Sequence, residues 1–252
     1  MKKTVLILFL LSAAGCIFAA QYENPMLNMD VPTGLEQGQT YFKFDHKFYQ
    51  ALDKYPKNDM FALFDNQVNM NIELRYLAVA GLEINAGYTT KNREQTAGLS
   101  YALNFHELHF SVQAGLEFFT YRDSVHGNFD QNLFYSLDIQ SEPLLDDKLI
   151  LSLDAGYDGY ALNPGLAIGA SYEILRDISL LAECYPVIKL AAQNDCIGPT
   201  SVYFVGFKIQ TSGHQFIFKF GNSTDIGMRR MMLGVTKSDL YAGFSIMRLI
   251  RF

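Results

Sequence analysis

The feature that most constrains this chain is an alternation of apolar and polar side chains that recurs along most of its length. In the segment 108–118 every second residue is apolar, and the residues between them include His109, Gln113 and Glu117. A period of two residues is typical of a β-strand with one apolar face and one polar face. Twelve segments follow this pattern, so we predict an all-β chain of about twelve strands.

The two faces of these strands differ sharply in charge. Across the apolar sets the single formal charge is Arg248, near a strand end, where its long side chain can reach water. Charge on a lipid-facing wall costs ~2–4 kcal/mol per residue at mid-depth. The pattern therefore predicts a closed, antiparallel, up-and-down transmembrane β-barrel with apolar side chains outside. The residues predicted to line its lumen are Asn69, Asn71, Glu73, Arg75, Glu83, Asn85, Gln113, Glu117, Asp138, Asp154, Glu173, Glu183, Lys208 and Lys219.

The connections between the strands alternate in length, which supports the same fold. Long connections are predicted at 50–67, 89–95, 119–131, 158–164, 187–200 and 221–239, and short ones lie between them. A transmembrane barrel has long outer loops, short periplasmic turns and an even number of strands. We therefore predict that residues 41–252 form a barrel in the bacterial outer membrane.

The first forty residues have a different character. Lys2 and Lys3 precede the apolar run 5–11, and small residues follow at Ala19 and Ala20, which is typical of a secretory signal peptide. We expect residues 1–20 to be the signal peptide and residues 21–40 to be a periplasmic N-terminal tail. Cys16 partly matches a lipoprotein box, in which it would carry the lipid, and this alternative stays open.

The composition gives little support to enzymes or to binding of nucleic acid. The net charge of the chain is −6, which argues against the basic surface that binding of nucleic acid requires. No nucleophile elbow, zinc helix or phosphate loop is present, and apart from His46 the outward sets contain neither Ser nor His. His106 and His109 lie three residues apart, on opposite faces of a strand, so they converge only if a turn folds them together. We predict no catalytic residues, no metal site and no cofactor.

Cys184 and Cys196 would remain after removal of the signal peptide, in an oxidising compartment. A disulfide between them would pin the intervening loop against the wall and contribute ~3 kcal/mol on the chain-entropy model. Two free thiols are the alternative.

Two short motifs carry a resemblance to a known family. FKFDHKFYQ at 42–50 and HQFIFKFGNSTDIGMRR at 214–230 resemble signatures of a family of small outer-membrane β-barrels of Gram-negative bacteria, for which no biochemical role is agreed. The last strand, LYAGFSIMRLIRF, resembles the C-terminal signal that the barrel-assembly machinery recognises, with Phe252 as its terminal ring. The resemblance implies outer-membrane lipid and that machinery as partners.

Three functions remain open at this point. The acidic lumen favours a narrow channel or uptake pore for small polar or cationic solutes, with the loop 50–67 as a candidate plug. A non-conducting barrel that carries surface loops or joins an envelope complex is the alternative, and ion pairs across the lumen would favour it. A soluble barrel that binds a lipophile would have the apolar sets inside.

Overall fold

The computed structural model of the protein describes residues 25–32, 34–54, 67–122, 129–189 and 197–251. Their dominant elements are twelve strands, as predicted. The strands are β1 (Gln39–Phe48), β2 (Val68–Val79), β3 (Leu82–Thr89), β4 (Glu94–Phe105), β5 (Phe110–Arg122), β6 (Phe129–Ser141), β7 (Leu149–Asp158), β8 (Asn163–Leu175), β9 (Ile178–Tyr185), β10 (Val202–Gln210), β11 (Gln215–Gly221) and β12 (Tyr241–Arg251).

Each strand pairs antiparallel with its neighbours in sequence, and β1 pairs with β12 to close the barrel. At this seam Phe44 lies opposite Ile246 and Asp45 opposite Ser245. Closure pairs the backbone groups of both edge strands, which is what a sheet needs in hydrocarbon. The predicted fold class is confirmed.

The outer wall carries the apolar sets. On β4, for example, Leu99 is 51% exposed whereas the adjacent Ser100 is 4% exposed. The soluble lipophile-binding barrel is therefore wrong, because it requires the apolar sets inside. None of the helices in the described ranges is both long and apolar enough to cross a bilayer.

The interior of the barrel contains two inserted segments of the same chain. The first, which we call the N-terminal insert, comprises residues 25–32 and 34–36, and its apolar side chains are buried at Met26, Leu27 and Met29. It joins β1 near the turn after β2, where the Gly38 amide donates to the Leu77 carbonyl. This position differs from the periplasmic tail expected from the sequence, because the apolar side chains of the segment are buried in the lumen rather than left in water.

The second segment, the loop insert, comprises residues 222–235 and contains a short helix, α1 (Met228–Met232). Gly156 and Gly165 face each other across β7 and β8. A Cβ atom on Gly165 would collide with Met232, and one on Gly156 would collide with the Phe134 ring and lie 3.0 Å from the Met232 sulfur. The glycine pair thus provides the space in which α1 packs against the wall.

Candidate functional site

The polar interior wall and the two inserts form the candidate site. Most of the predicted lumen residues are buried, as they would not be in a wide, water-filled channel. The buried ones are Asn69, Asn71, Arg75, Glu83, Gln113, Asp138, Asp154, Glu183, Lys208 and Lys219. Glu73, Asn85 and Glu117 are half-buried, and Glu173 is exposed near the turn after β8.

Glu183, on β9, is the main anchor of the N-terminal insert. Its Oε1 accepts hydrogen bonds from the backbone amides of Asn28, at 2.7 Å, and Met29, at 3.0 Å. Its Oε2 accepts from the Asn28 side-chain amide and from the Tyr185 hydroxyl, both at 3.0 Å. A buried carboxylate is stable only when it is well bonded, and this one has four donors.

Two ion pairs of the wall also hold the N-terminal insert. Lys219 contacts Asp45 at 2.6 Å, and its ammonium donates a further bond to the Leu27 carbonyl at 2.9 Å. Arg75 pairs with Glu83 at 2.7 Å, and its guanidinium also donates to the carbonyl of Val31 at 3.2 Å. The wall cations therefore keep their acidic partners and use additional N–H groups to bind the main chain of the insert.

The loop insert is held by charged side chains of its own. Arg229 pairs with Asp158 at 3.0 Å and also with Glu94, while its guanidinium lies 3.6 Å from the centre of the Phe119 ring. The adjacent Arg230 donates to the second oxygen of Glu94 at 2.9 Å. Both arginines bind wall carboxylates, which ties α1 to β4 and β7.

Wall residues also hold the first part of the loop insert. The Lys47 ammonium donates to the Asp225 carbonyl, and the Asn69 side-chain amide donates to the Thr224 carbonyl at 2.9 Å. Lys91 pairs with the Asp225 carboxylate at 2.5 Å. The two sequence motifs, 42–50 and 214–230, thus meet inside the barrel.

Sequence reasoning missed six charged members of this network: Lys91, Glu94, Asp158, Asp225, Arg229 and Arg230. All six were assigned to long loops, where the alternation gives no information about direction. The two adjacent arginines of the second motif were the available signal, since consecutive basic residues inside a barrel require acidic partners.

Two of the cavities between the inserts and the wall are small, with volumes of about 60 and 40 Å³. Asp30, Glu73 and Glu117 line both of them, together with Lys43, Arg229 and Arg230 in the first and Arg75 in the second, so acidic and basic groups share the lining. Among the described residues, no group of three or more His, Cys, Asp or Glu is arranged to hold a metal ion.

The turn after β4 brings together the two histidines that a strand would have separated. His109 adopts a left-handed backbone conformation, with φ 56°, and the Nδ1 atoms of His106 and His109 each lie 2.8 Å from one oxygen of Glu142. These hydrogen bonds hold the pKa of Glu142 below its usual range. His106 and His109 therefore converge because a turn folds them together, as the sequence analysis required.

The other residues singled out from the sequence occupy the outer wall or lie outside the described residues. His46 lies between the rings of Phe44 and Phe244, at 4.3 and 4.8 Å, as a packing residue of the outer face. Cys184 is an exposed free thiol, and Cys196 lies outside the described residues, so the expected disulfide is not part of the described structure. Phe252, Cys16, the segment 1–20 and most of the candidate plug 50–67 also lie outside them.

Comparison with known proteins supports the architecture. A family model described as a membrane bound beta barrel domain (DUF5777) matches residues 24–250. The solved KdgM porin is similar with a TM-score of 0.54 at 11% identity, over 84% of this chain and 99% of that one. The NanC porin is similar with a TM-score of 0.51 at 8% identity, over 85% of this chain and 99% of that one. At these identities the likeness concerns the fold, and no curated protein matches the chain.

Proposed function

This chain belongs to the family of membrane-bound β-barrel domains, and we propose that it is a gated channel of the bacterial outer membrane for small polar or cationic solutes. The observation that carries the proposal is that a porin-like barrel is occupied by a short segment that precedes β1 and is bound mainly through its backbone. Such a segment can leave while all twelve strands stay paired. The outer-membrane location is supported by the apolar wall and by the porin fold.

The N-terminal insert is better suited to act as a gate than the loop insert. When it leaves, Lys219 keeps Asp45, Arg75 keeps Glu83, and Glu183 keeps the Tyr185 hydroxyl. Departure of the loop insert would instead leave the carboxylates of Glu94 and Asp158 without their arginines, a costly loss for buried charges.

Burial and chain entropy are of similar size in the N-terminal insert. Full burial of a side chain such as Met26 or Leu27 contributes ~1.5–3 kcal/mol, whereas fixing each backbone residue costs ~1–2 kcal/mol. The hydrogen bonds to Glu183, Lys219 and Arg75 therefore decide whether the segment stays in place. A segment whose bound state has so small a net stability can act as a gate.

The charges that remain on the wall predict the preference of the open state. Asp138 and Asp154 face each other across β6 and β7, and both are fully buried. Glu117 and Glu183 add two further carboxylates on β5 and β9. Acidic groups along a narrow passage attract cations and repel anions.

Conductance in planar bilayers tests this proposal. We expect rare openings from the full chain and a persistent, cation-preferring conductance from a variant that lacks residues 25–36. Cation preference is read from the reversal potential in a potassium chloride gradient. The control is the heat-dependent gel mobility of folded barrels, which shows that the shortened chain is folded.

A second candidate is a non-conducting barrel that presents surface loops or joins an envelope complex. The observation in its favour is the loop insert, which the Arg229 and Arg230 ion pairs hold inside the barrel independently of the N-terminal insert. A shortened chain that folds but carries no current would support this candidate and contradict the channel.

A further inference from the structure

The periplasmic end of the lumen contains a cavity that neither insert fills. Its volume is about 290 Å³, far more than a single water molecule needs. Residues of the turns after β6 and β8, among them Lys148 and Asp177, form its rim. The N-terminal insert lies nearby, because Leu27 packs close to Gly206, which is one inward position from Lys208 along β10.

Lys208 is the unusual member of this cavity. The residue is only 4% exposed and lines the cavity, yet no carboxylate among the described residues lies within ion-pairing distance of its ammonium. The other buried lysines behave differently, since Lys219 pairs with Asp45 and Lys47 binds the Asp225 carbonyl. The Lys208 ammonium is not among the buried polar groups that lack a hydrogen-bond partner, so it reaches the open space of the cavity, where it is placed to receive an anion.

A carboxylate lies on the same row of the wall. Lys208 on β10 is opposite Ser179 on β9, and Ser179 is opposite Glu173 on β8. The backbones of Lys208 and Glu173 are thus two strand spacings apart, about 10 Å. The cavity therefore has an ammonium on one side, a carboxylate on the other and a serine between them.

We propose that this cavity binds a small zwitterion of the amino-acid type, whose carboxylate pairs with Lys208 and whose ammonium pairs with Glu173. Asp147, Asp177 and Lys148 complete the charged lining of the cavity. The Lys148 carbonyl accepts a hydrogen bond from the Glu173 amide, and the Asp177 carbonyl accepts one from the Gln210 amide, both at 2.8 Å. Charge-assisted hydrogen bonds at both ends distinguish such a solute from one that carries a single charge. The site deepens the proposed function, since it would lie on the solute path.

Calorimetric titration of the folded full chain in detergent micelles tests the site with three probes: L-alanine, acetate and methylammonium. We expect L-alanine to bind at least ~10-fold more tightly than either single-charge probe, which corresponds to about 1.4 kcal/mol. Lys208→Met should abolish binding of L-alanine and acetate. Glu173→Gln should reduce L-alanine to the level of acetate.

Lys237→Met is the matched control, since it removes an exposed lysine at the opposite end of the barrel and should leave all three titrations unchanged. Lys208→Gln provides a second test if the methionine variant does not fold. Equal L-alanine affinity in the unmodified chain and either Lys208 variant overturns the site, as does absence of L-alanine binding to the unmodified chain. The titration measures no current, so the two proposals can fail separately. If the barrel conducts but does not bind L-alanine, the site is contradicted and the channel is not. If it binds L-alanine but does not conduct, the channel is contradicted and the site is not.

Discussion

The two inserts inside the barrel are held by different kinds of contact. The N-terminal insert is bound largely through main-chain groups, namely the amides of Asn28 and Met29 and the carbonyls of Leu27 and Val31. The loop insert is bound through charged side chains, above all those of Arg229 and Arg230.

This difference determines where each insert can be loosened by mutation. Main-chain groups are present whatever the residue, so substitutions within the N-terminal insert leave most of its polar contacts in place. Its anchors are the side chains of the wall. In the loop insert a single substitution on either side of an ion pair removes the contact and leaves a buried charge.

The largest effect is expected from Arg229→Met. The change leaves the buried Asp158 carboxylate without its ion-pair partner, and loss of one partner of a buried pair costs ~3–5 kcal/mol. Urea unfolding of the folded barrel in detergent should show a lower free energy of unfolding by about that amount. Arg230→Met is the matched control and should cost less, because Arg230 is more exposed and Glu94 keeps Arg229. Equal losses in the two variants would contradict the assignment of Arg229 as the main tie.

The next effect should be confined to the N-terminal insert. Glu183→Gln replaces a carboxylate that accepts four hydrogen bonds with an amide that has one acceptor oxygen, and hydrogen bonds to charged groups contribute ~1.5–3 kcal/mol each. We expect amide hydrogen exchange at Asn28 and Met29 to become at least ~10-fold faster.

Glu173→Gln, near the turn after β8, serves as the control and should leave exchange in the N-terminal insert unchanged. An equal acceleration throughout the barrel would contradict a local role for Glu183.

The same contrast explains what the sequence could reveal. On β2 the exposed Ile72 and Leu74 alternate with Asn71 and Glu73 because lipid and lumen impose opposite requirements at every step. Because of these opposite requirements, the two-residue alternation alone predicts the number of strands, the barrel and the direction in which each wall residue points.

The inserts carry no such period. Met26, Leu27 and Met29 lie in an irregular segment, and their burial depends on a lumen that only the completed barrel provides. Two of the four donors to Glu183 are backbone amides, which every sequence supplies. The candidate plug 50–67 stays a prediction, since most of it lies outside the described residues, and the described part of the lumen contains the N-terminal insert and the loop insert.

A smaller effect should follow from pH at the N-terminal insert. Burial raises the pKa of Asp30 to about 6, and the nearby Glu73 carboxylate acts in the same direction. Lys43 and Arg75 oppose the shift, and Glu83 adds to it. Because Asp30 binds its proton more tightly when the N-terminal insert is bound in the lumen, the bound state gains stability as pH falls through about 6 and loses it as pH rises.

Amide exchange in the insert should therefore be slower at pH about 5 than at pH about 7.5, after correction for the intrinsic exchange rate. Asp30→Asn should remove that difference. A pH dependence that persists unchanged in the variant would assign it to other acids of the lumen.

The smallest effect is expected outside the lumen, at the turn that joins His106 and His109 to Glu142. Hydrogen bonds from the two imidazoles lower the pKa of this exposed carboxyl group, so their contribution to stability is present above its ordinary pKa near 4.5 and is lost as pH falls through the lowered value. The double variant His106→Ala, His109→Gly removes both donors, and glycine tolerates the left-handed backbone at 109. Carboxyl NMR titration should then show the pKa of Glu142 rising toward 4.5, while urea unfolding stays nearly unchanged, because water replaces the lost donors at an exposed site. We attribute the strength of the Arg229 ion pairs to their burial rather than to the number of charged contacts. If the double histidine variant lost as much stability as Arg229→Met, this explanation would be contradicted.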